Sequence, residues 1–314
     1  MSLAIALSLS ASASAAQEVP FAYAELGADG RIERGVEGGY RDGALFEAGS
    51  ITKFACTLAT LRLHDRGTLD IDATLGALLP AFADTPIAPV TLRQVLQSRS
   101  GLADGLIPAF QSDPETVFAT PDAVAAIRAF AAGEPAFVPG SEWSYDLVNW
   151  IVVQAVIEAK TGRPVGDVVE DLVLRPAGMG SSRIFTGTIG ADAQAPVEES
   201  TPIPAFLTCA GGLATTPTDL IALARFPHWG GLSASSLAAL TTVTTPEEGY
   251  TLGGRYADPA GQGGTWMSWQ SGSNGAYKSL VTYDPASDTG FAAMTAADDT
   301  ATLDAAREAW LEAR

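Results

Sequence analysis

The chain has 314 residues, of which 47% are hydrophobic and 17% are charged. That length and apolar content are enough for a substantial core and for two lobes or two domains. Its 36 acidic residues outnumber the 18 basic ones and give a formal net charge of −18. A field of that sign repels phosphate backbones and anionic membrane surfaces, so nucleic acid is not an expected partner.

The first 16 residues have the composition of an export signal. An apolar run passes into small residues with an Ala-Ser-Ala pattern just before Gln17, as at the cleavage end of such a segment. The usual basic start is missing, so a structural helix remains the alternative. No other apolar run approaches the ~20 residues that cross a bilayer. We expect an exported protein, periplasmic or extracellular, with no stable membrane insertion.

Both ends of the chain predict β-hairpins. Phe21–Leu26 and Ile32–Val36 flank an Asp29-Gly30 turn, where glycine supplies the positive φ that tight turns require. Towards the other end, Tyr277–Tyr283 and Phe291–Met294 flank a turn segment that contains Asp, Pro and Gly.

The chain between the hairpins is predicted to be mostly helical. Phe54, Leu58 and Leu61 recur at helical spacing and stop before Gly67. Thr120 followed by Pro121 predicts an N-cap and a first helical residue.

Three further helices follow in chain order. An apolar stripe from Val148 to Val156 ends at Thr161-Gly162, and Thr216-Pro217 opens a helix that reaches Phe226. Residues 301–313 form a terminal helix.

This order of elements predicts an α+β fold. An antiparallel sheet flanked by helices is built from both chain ends, with a mostly helical lobe inserted between them. The expected division is a sheet domain of residues 17–66 and 205–314, a helical lobe of residues 67–204, and the signal segment 1–16 before them.

The cysteines and histidines do not indicate a redox motif or a metal site. Cys56 and Cys209 are far apart and outside any Cys-x-x-Cys spacing, so we expect two buried thiols in preference to a disulfide. His64 and His228 have no metal-ligand spacing and are expected at the surface or in loops. We predict no metal and no cofactor.

A serine and a lysine three residues apart form the first candidate catalytic pair. Lys53 is one of three lysines and follows Ser50 by three positions, which share one face of a helix. A lysine there can take the hydroxyl proton or stabilise the anion that takes it. The alternative is that Ser50 only caps the helix. No Gly-x-Ser-x-Gly motif occurs, and two scattered histidines do not favour a Ser-His-Asp triad.

Several weak motifs occur in a consistent order along the chain. They are Ser50-Ile51-Thr52-Lys53, Leu69-Asp70-Ile71-Asp72, Leu79-Pro80, Thr91 to Leu96, Ser100-Gly101-Leu102, Tyr145 before a helix, Pro176-Ala177-Gly178-Met179, Gly211-Gly212-Leu213 with Thr216 and Asp219, and Gln270 to Gly275 before a hairpin. In this order the chain from Phe21 onwards resembles the serine β-lactamase-like superfamily, specifically its class C β-lactamase, DD-peptidase and family VIII esterase branch.

The resemblance implies a role for each motif residue. Ser50 would be the acylated nucleophile, Lys53 its partner and Tyr145 the general base. An ordinary phenol has a pKa of ~10, so poising it near 7 requires ~4 kcal/mol of phenolate stabilisation, which a nearby ammonium can supply. The oxyanion hole would be formed by the backbone N–H groups of Ser50 and Ser273. Gln270-Ser271-Gly272 would be the third motif, unless it is an ordinary glycine-rich turn.

Two departures from the family pattern bear on the substrate. Leu147 stands where the second motif usually has an asparagine, and Gln270 stands where the third motif has a lysine or histidine. Loss of that cation should weaken recognition of a substrate carboxylate about tenfold. Lys278 could replace it if its side chain turned into the cleft, although a solvent-facing strand lysine is the more common arrangement.

The sequence therefore favours a serine hydrolase that forms an acyl-enzyme, with Leu147, Gln270, Ser271 and Gly272 contacting a small ester, amide or peptide substrate. An esterase of neutral acyl substrates is the first hypothesis. A D-Ala-D-Ala carboxypeptidase or weak class C-like β-lactamase is the second. A penicillin-binding or peptidoglycan-binding module that does not turn over is the third.

Overall fold

The structure is a computed structural model that describes residues 19–190, 201–257 and 266–314. The expected signal segment, residues 1–16, lies outside the described residues. Within the described part of the chain, no helix combines the length and the apolar content that crossing a membrane requires.

A six-stranded antiparallel sheet forms from the two ends of the chain, with the strand order β2-β1-β9-β8-β7-β6. The two predicted hairpins are confirmed as β1–β2 and β8–β9, and β1 pairs with β9 to join the chain ends. A second sheet of three short strands has the order β3-β5-β4. The strands are β1 (Phe21–Leu26), β2 (Ile32–Glu37), β3 (Phe46–Glu47), β4 (Arg183–Ile184), β5 (Leu213–Thr215), β6 (Arg255–Ala257), β7 (Met267–Asn274), β8 (Tyr277–Asp284) and β9 (Thr289–Thr295).

Helices cover both faces of the six-stranded sheet and fill the middle of the chain, which confirms the predicted α+β class. A π-helical segment, Glu170–Leu174, continues α8, and short 3-10 turns link several elements. The helices are α1 (Ile51–Asp65), α2 (Leu75–Leu78), α3 (Leu92–Leu96), α4 (Leu106–Ser112), α5 (Pro114–Phe118), α6 (Ala123–Phe130), α7 (Val148–Thr161), α8 (Val165–Val169), α9 (Thr208–Gly211), α10 (Pro217–Arg225), α11 (Ala234–Thr241) and α12 (Thr300–Glu312).

The core lies mainly on one face of the sheet. Within the described residues, one large cluster of buried apolar side chains runs from the sheet through α1 and α7 into the helical part. A smaller cluster, which includes Phe291 and Trp310, lies between the opposite face and α12. The larger cluster crosses both predicted domain boundaries, and the division at residues 66 and 204 stays a prediction.

Helix α1 is buried around almost its whole circumference, because it runs through the centre of the larger cluster. Phe54, Leu58 and Leu61 point into that core as their spacing predicts. Helix α7 is the second central helix, and it ends at Gly162, whose φ of 65° is the left-handed conformation that glycine adopts readily.

Two helix starts test the capping predictions. Thr216 caps α10 as expected, since its hydroxyl accepts a hydrogen bond from the Asp219 N–H at 3.2 Å. The prediction of an N-cap at Thr120 is wrong by two residues. Asp122 is the cap of α6, where its carboxylate accepts from the Ala125 N–H at 2.8 Å. A carboxylate both accepts this bond and complements the helix dipole.

The two histidines differ in burial. His64 lies in the last turn of α1 and is partly exposed. His228 was expected at the surface or in a loop, and it lies in a 3-10 turn with a partly buried ring whose Nε2 is 2.8 Å from the Tyr256 hydroxyl. Burial lowers the pKa of His228 to about 4, so this ring is neutral near pH 7.

Cys56 and Cys209 form a disulfide, so the expectation of two free thiols is wrong. Their Cα atoms are 5.7 Å apart although 153 residues separate them in sequence. Cys56 lies on α1 and Cys209 on α9, and these helices pack side by side. Sequence spacing carries no information on such a long-range contact. The bond ties the helix that begins next to Ser50 to the segment that precedes β5.

We expect the Cys56→Ala/Cys209→Ala double variant to lose about 2–5 kcal/mol of unfolding free energy, because the bond closes a long loop and restricts the unfolded chain. Urea unfolding monitored by fluorescence measures the loss. The wild-type protein in excess reductant is the control and should lose a similar amount. An unchanged urea midpoint in both samples would show that the bond does not form in solution.

Candidate active site

Ser50 stands immediately before α1, and its hydroxyl is not used to cap the helix. Ser50 has helical backbone angles of φ −61° and ψ −13° and makes no side-chain capping bond, which excludes the capping alternative. The Lys53 ammonium donates instead to Ser50 Oγ at 2.8 Å. The i, i+3 spacing therefore brings the two groups into direct contact.

Lys53 is almost completely enclosed, with 1% of its surface exposed. Its Nζ also donates to the Ala210 carbonyl at 3.1 Å. Burial lowers the pKa of Lys53, the neighbouring Tyr145 acts to raise it, and Arg255 adds to the lowering. A lysine in this environment gives up a proton more readily than one in water.

Tyr145 reaches the same place from the loop before α7. Lys53 Nζ lies 5.0 Å from the centroid of the tyrosine ring, and the ring packs edge-on against Tyr250 at 6.1 Å. Burial acts to raise the pKa of Tyr145, but the Lys53 charge, hydrogen bonds with Ser50 and Lys53, and the Arg255 charge together lower it below the ordinary value of 10. The three predicted polar groups therefore meet.

Two glycines allow strand β7 to lie directly against the start of α1. A Cβ atom on Gly272 would be 1.9 Å from the Ala48 carbonyl oxygen and 2.8 Å from the Ser50 nitrogen. Gly49 has a φ of 52°, and a Cβ atom there would be 2.5 Å from the Ser273 nitrogen. These approaches bring the Ser50 and Ser273 backbone amides, predicted to form the oxyanion hole, to the same corner of the site.

The predicted residues of the third motif differ in where their side chains lie. Ser271 is exposed on β7, whereas Gln270 is 4% exposed. The Gln270 amide bonds to the main chain of β6, accepting from the Arg255 N–H at 3.2 Å and donating to the Arg255 carbonyl at 3.2 Å. Direct contact between Gln270 and substrate stays a prediction.

Lys278 is held at the end of the β7–β8 hairpin. Its ammonium donates to Ser273 Oγ at 2.9 Å and to the Gly275 carbonyl at 2.6 Å, and it pairs with Asp298 at 2.7 Å. The lysine side chain is 15% exposed. Its three donors already have acceptors, so the structure does not present it as a replacement for the motif cation.

A cavity of about 450 Å³ opens beside Ser50. Leu147 lines it together with side chains from α4 and from the segment that leads to α9. Among the described residues that line this cavity, Lys53 is the one charged side chain. The apolar lining residues include Ile107, Phe110, Leu147, Pro202, Ile203 and Leu207.

Sequence analysis missed Arg255, the Ala210 carbonyl and most of the cavity wall. The motif Gly211-Gly212-Leu213 contains no signal that the carbonyl of the preceding residue, Ala210, accepts a hydrogen bond from Lys53. Ile107 and Phe110 are spaced by three on a helix, a pattern that equally indicates a core-facing stripe. Arg255 stands in a glycine-rich segment with no local signal of function.

Two named bacterial hydrolases are similar to this chain over about half of its length. The esterase EstB of Burkholderia gladioli is 34% identical over 163 residues, which is 48% of this chain and 41% of that protein. A D-aminopeptidase of Cereibacter sphaeroides is 29% identical over 181 residues, 54% of this chain and 34% of that protein. The chain thus aligns with less than half the length of these relatives.

The fold has clear structural neighbours. A D-stereospecific amidohydrolase from Streptomyces sp. superposes with a TM-score of 0.76 at 24% identity, over 92% of this chain and 93% of that one. At this identity the likeness shows the fold alone. The Beta-lactamase family model matches residues 13–314, and with the fold and the motif order in agreement, the chain belongs to the Beta-lactamase family.

Proposed function

We propose that this protein is a serine hydrolase that forms an acyl-enzyme on Ser50 and acts on esters of neutral, apolar acyl groups. The observation that carries the proposal is the contact between Lys53 Nζ and Ser50 Oγ at 2.8 Å, at a point where the serine opens into an apolar cavity of about 450 Å³. Acyl transfer requires a nucleophilic hydroxyl beside a group that can exchange its proton, next to a pocket that takes the acyl group.

In the acylation step, Ser50 Oγ bonds to the ester carbonyl carbon while its proton passes to the Tyr145–Lys53 pair. The carbonyl oxygen becomes an oxyanion, which the backbone N–H groups of Ser50 and Ser273 would stabilise. The ester C–O bond then breaks, and the leaving alkoxide takes the proton from the pair. In deacylation, water attacks the acyl carbon and gives a proton to the Tyr145–Lys53 pair. The bond between the acyl carbon and Ser50 Oγ then breaks, the pair returns the proton to Ser50 Oγ, and the acid is released.

The charges around the cleft support neutral substrates. The first position of the third motif is an uncharged glutamine whose amide is occupied by the β6 main chain. The Lys278 ammonium is already held by Ser273 Oγ, the Gly275 carbonyl and Asp298. A β-lactam or a D-Ala-D-Ala peptide presents a carboxylate, for which neither group offers an available cation.

The disulfide supports the proposal of export. Structural disulfides form and persist mainly in oxidising compartments, and Cys56–Cys209 joins two elements of the active site. We therefore propose that the protein works in the periplasm or outside the cell.

Ser50→Ala should abolish turnover of p-nitrophenyl butyrate, lowering kcat by at least about 10⁴-fold, because removal of a serine nucleophile leaves only the binding and oxyanion contributions. Steady-state kinetics measure this loss, and mass spectrometry of the wild type after rapid quenching should detect the acyl group on Ser50. The wild-type protein should also be assayed with a chromogenic cephalosporin, a D-Ala-D-Ala peptide and a D-alanine p-nitroanilide. If one of these exceeds every ester in kcat/KM, the esterase proposal is wrong. Labelling of Ser50 without turnover would favour a binding module.

The apolar cavity predicts a preference for longer acyl chains. From acetate to hexanoate, kcat/KM should rise by up to about fourfold per methylene, since burying one CH₂ is worth ~0.8 kcal/mol. Leu147→Asn should flatten this series by making the wall polar, and Leu311→Asn on α12 is the control that should leave it unchanged. A flat wild-type series would mean that the acyl group does not occupy this cavity.

Gly272→Ala should lower kcat by about 10²–10³-fold, the usual cost of losing an oxyanion donor. The added methyl group cannot fit 1.9 Å from the Ala48 oxygen, so β7 must move away from α1. Gly133→Ala is the control, because a Cβ atom there meets nothing within 4 Å. Wild-type kcat in folded Gly272→Ala would exclude the close approach of the two segments.

A further inference from the structure

Arg255, the first residue of β6, lies at the centre of a group of aromatic rings beside the site. Its guanidinium carbon is 5.7 Å from the ring centroid of Tyr145 and 5.4 Å from those of Tyr250 and Trp269. The arginine side chain is only 17% exposed. A guanidinium at this distance from a ring, in a poorly solvated position, interacts more strongly than it would in water.

The main chain of Arg255 is held by the residue that departs from the family pattern. Gln270 bonds to both the N–H and the carbonyl of Arg255. The family pattern places a cation at position 270. Here Gln270 is uncharged, but it bonds to the main chain of Arg255, whose side chain is a cation. The charge reaches the tyrosine from β6 instead of β7.

We propose that Arg255 is a positioning residue that acts through Tyr145, supplying the positive charge that Gln270 lacks and stabilising the phenolate during acylation. This inference rests on the proposed function of Ser50, Lys53 and Tyr145. Arg255 does not need to contact the substrate for this role, and its effect is on the protonation of the catalytic pair.

Four other charged or titratable groups of the described chain lie near Tyr145 or Arg255, and none of them replaces or cancels the charge of Arg255. Lys53 faces it from α1, and Tyr250 faces it from the segment before β6. Tyr250 is neutral because burial raises its pKa well above the ordinary value. Glu248 pairs with Arg255 at 3.6 Å but is 41% exposed, so solvent screens its opposing charge. Asp146 follows Tyr145 in sequence, and burial raises its pKa.

Arg255 acts to lower the pKa of both Tyr145 and Lys53. For Tyr145, burial raises the pKa, and Arg255 is one of the charges that outweigh this. For Lys53, burial is the main cause of the lowered pKa, and Arg255 lowers it further. Removing the guanidinium should therefore raise the pKa of the proton acceptor whichever residue it is.

The test is the pH dependence of kcat/KM for p-nitrophenyl butyrate in the full-length protein. In Arg255→Gln and Arg255→Met, the acidic limb should move to higher pH by about one unit, as expected for loss of a unit charge ~6 Å away in a partly screened site. At a pH below the wild-type limb, this shift lowers the kcat/KM of both variants about tenfold. At alkaline pH, both variants should keep the wild-type plateau value of kcat/KM. Arg255→Lys, which keeps a cation, should hold the limb near its wild-type position.

Arg307→Gln is the matched control. Arg307 also packs on Trp269, with its guanidinium carbon 5.8 Å from the ring centroid, and forms an ion pair with Asp304, but it lies on α12 and does not contact Tyr145. The acidic limb of the kcat/KM profile of Arg307→Gln should therefore stay at its wild-type pH. A limb that stays in place in a folded Arg255→Gln or Arg255→Met variant would overturn the inference. Turnover that survives Ser50→Ala would instead overturn the proposed function, so the two failures can be told apart.

Discussion

The burial of the Lys53 amine is the constraint on which the site depends. An ammonium taken out of water costs several kcal/mol unless it finds partners, and here the Ser50 hydroxyl, the Ala210 carbonyl and the Tyr145 phenol are those partners. Each comes from a different part of the chain. The lysine therefore depends on the packing of α1, α9 and the loop before α7, since movement of any one of them would remove one of the partners of the buried amine.

The surrounding structure supports this arrangement with covalent and steric contacts. The Cys56–Cys209 bond joins α1 to α9, and the Ala210 carbonyl that holds the lysine follows Cys209 directly. On the other side, Gly49 and Gly272 let β7 touch the first turn of α1. Ser50 thus lies between a disulfide-linked helix pair and an abutting strand, and this placement would preorganise the proposed nucleophile for acyl transfer.

The cleft combines the serine, lysine and tyrosine of the family motifs with an uncharged glutamine at the first position of the third motif. Gln270 has no charge and bonds to the main chain of β6, and Lys278 is paired with Asp298. Among the described residues, Lys53 and Arg255 are the basic side chains that lie against the Tyr145 ring. The acyl cavity adds apolar surface and, besides Lys53, no charge among its described lining residues. Under the proposed function these features would act together, because positive charge would favour the Tyr145 phenolate and the apolar pocket would favour an uncharged acyl group.

The sequence by itself determined many of the secondary-structure elements and one contact of the site, because local residue patterns specify them. Short-range rules of turn geometry and helical periodicity predict the two hairpins, the helices α1, α7, α10 and α12, and the Ser50–Lys53 contact. The placement of Tyr145 came from a resemblance in motif order. Only the tertiary structure decided the Cys56–Cys209 pairing, the use of Gln270 as a clamp on β6, and the position of Arg255 over Tyr145. Each of these joins residues that are distant along the chain, and their contact depends on how whole helices and strands pack, which no local spacing records.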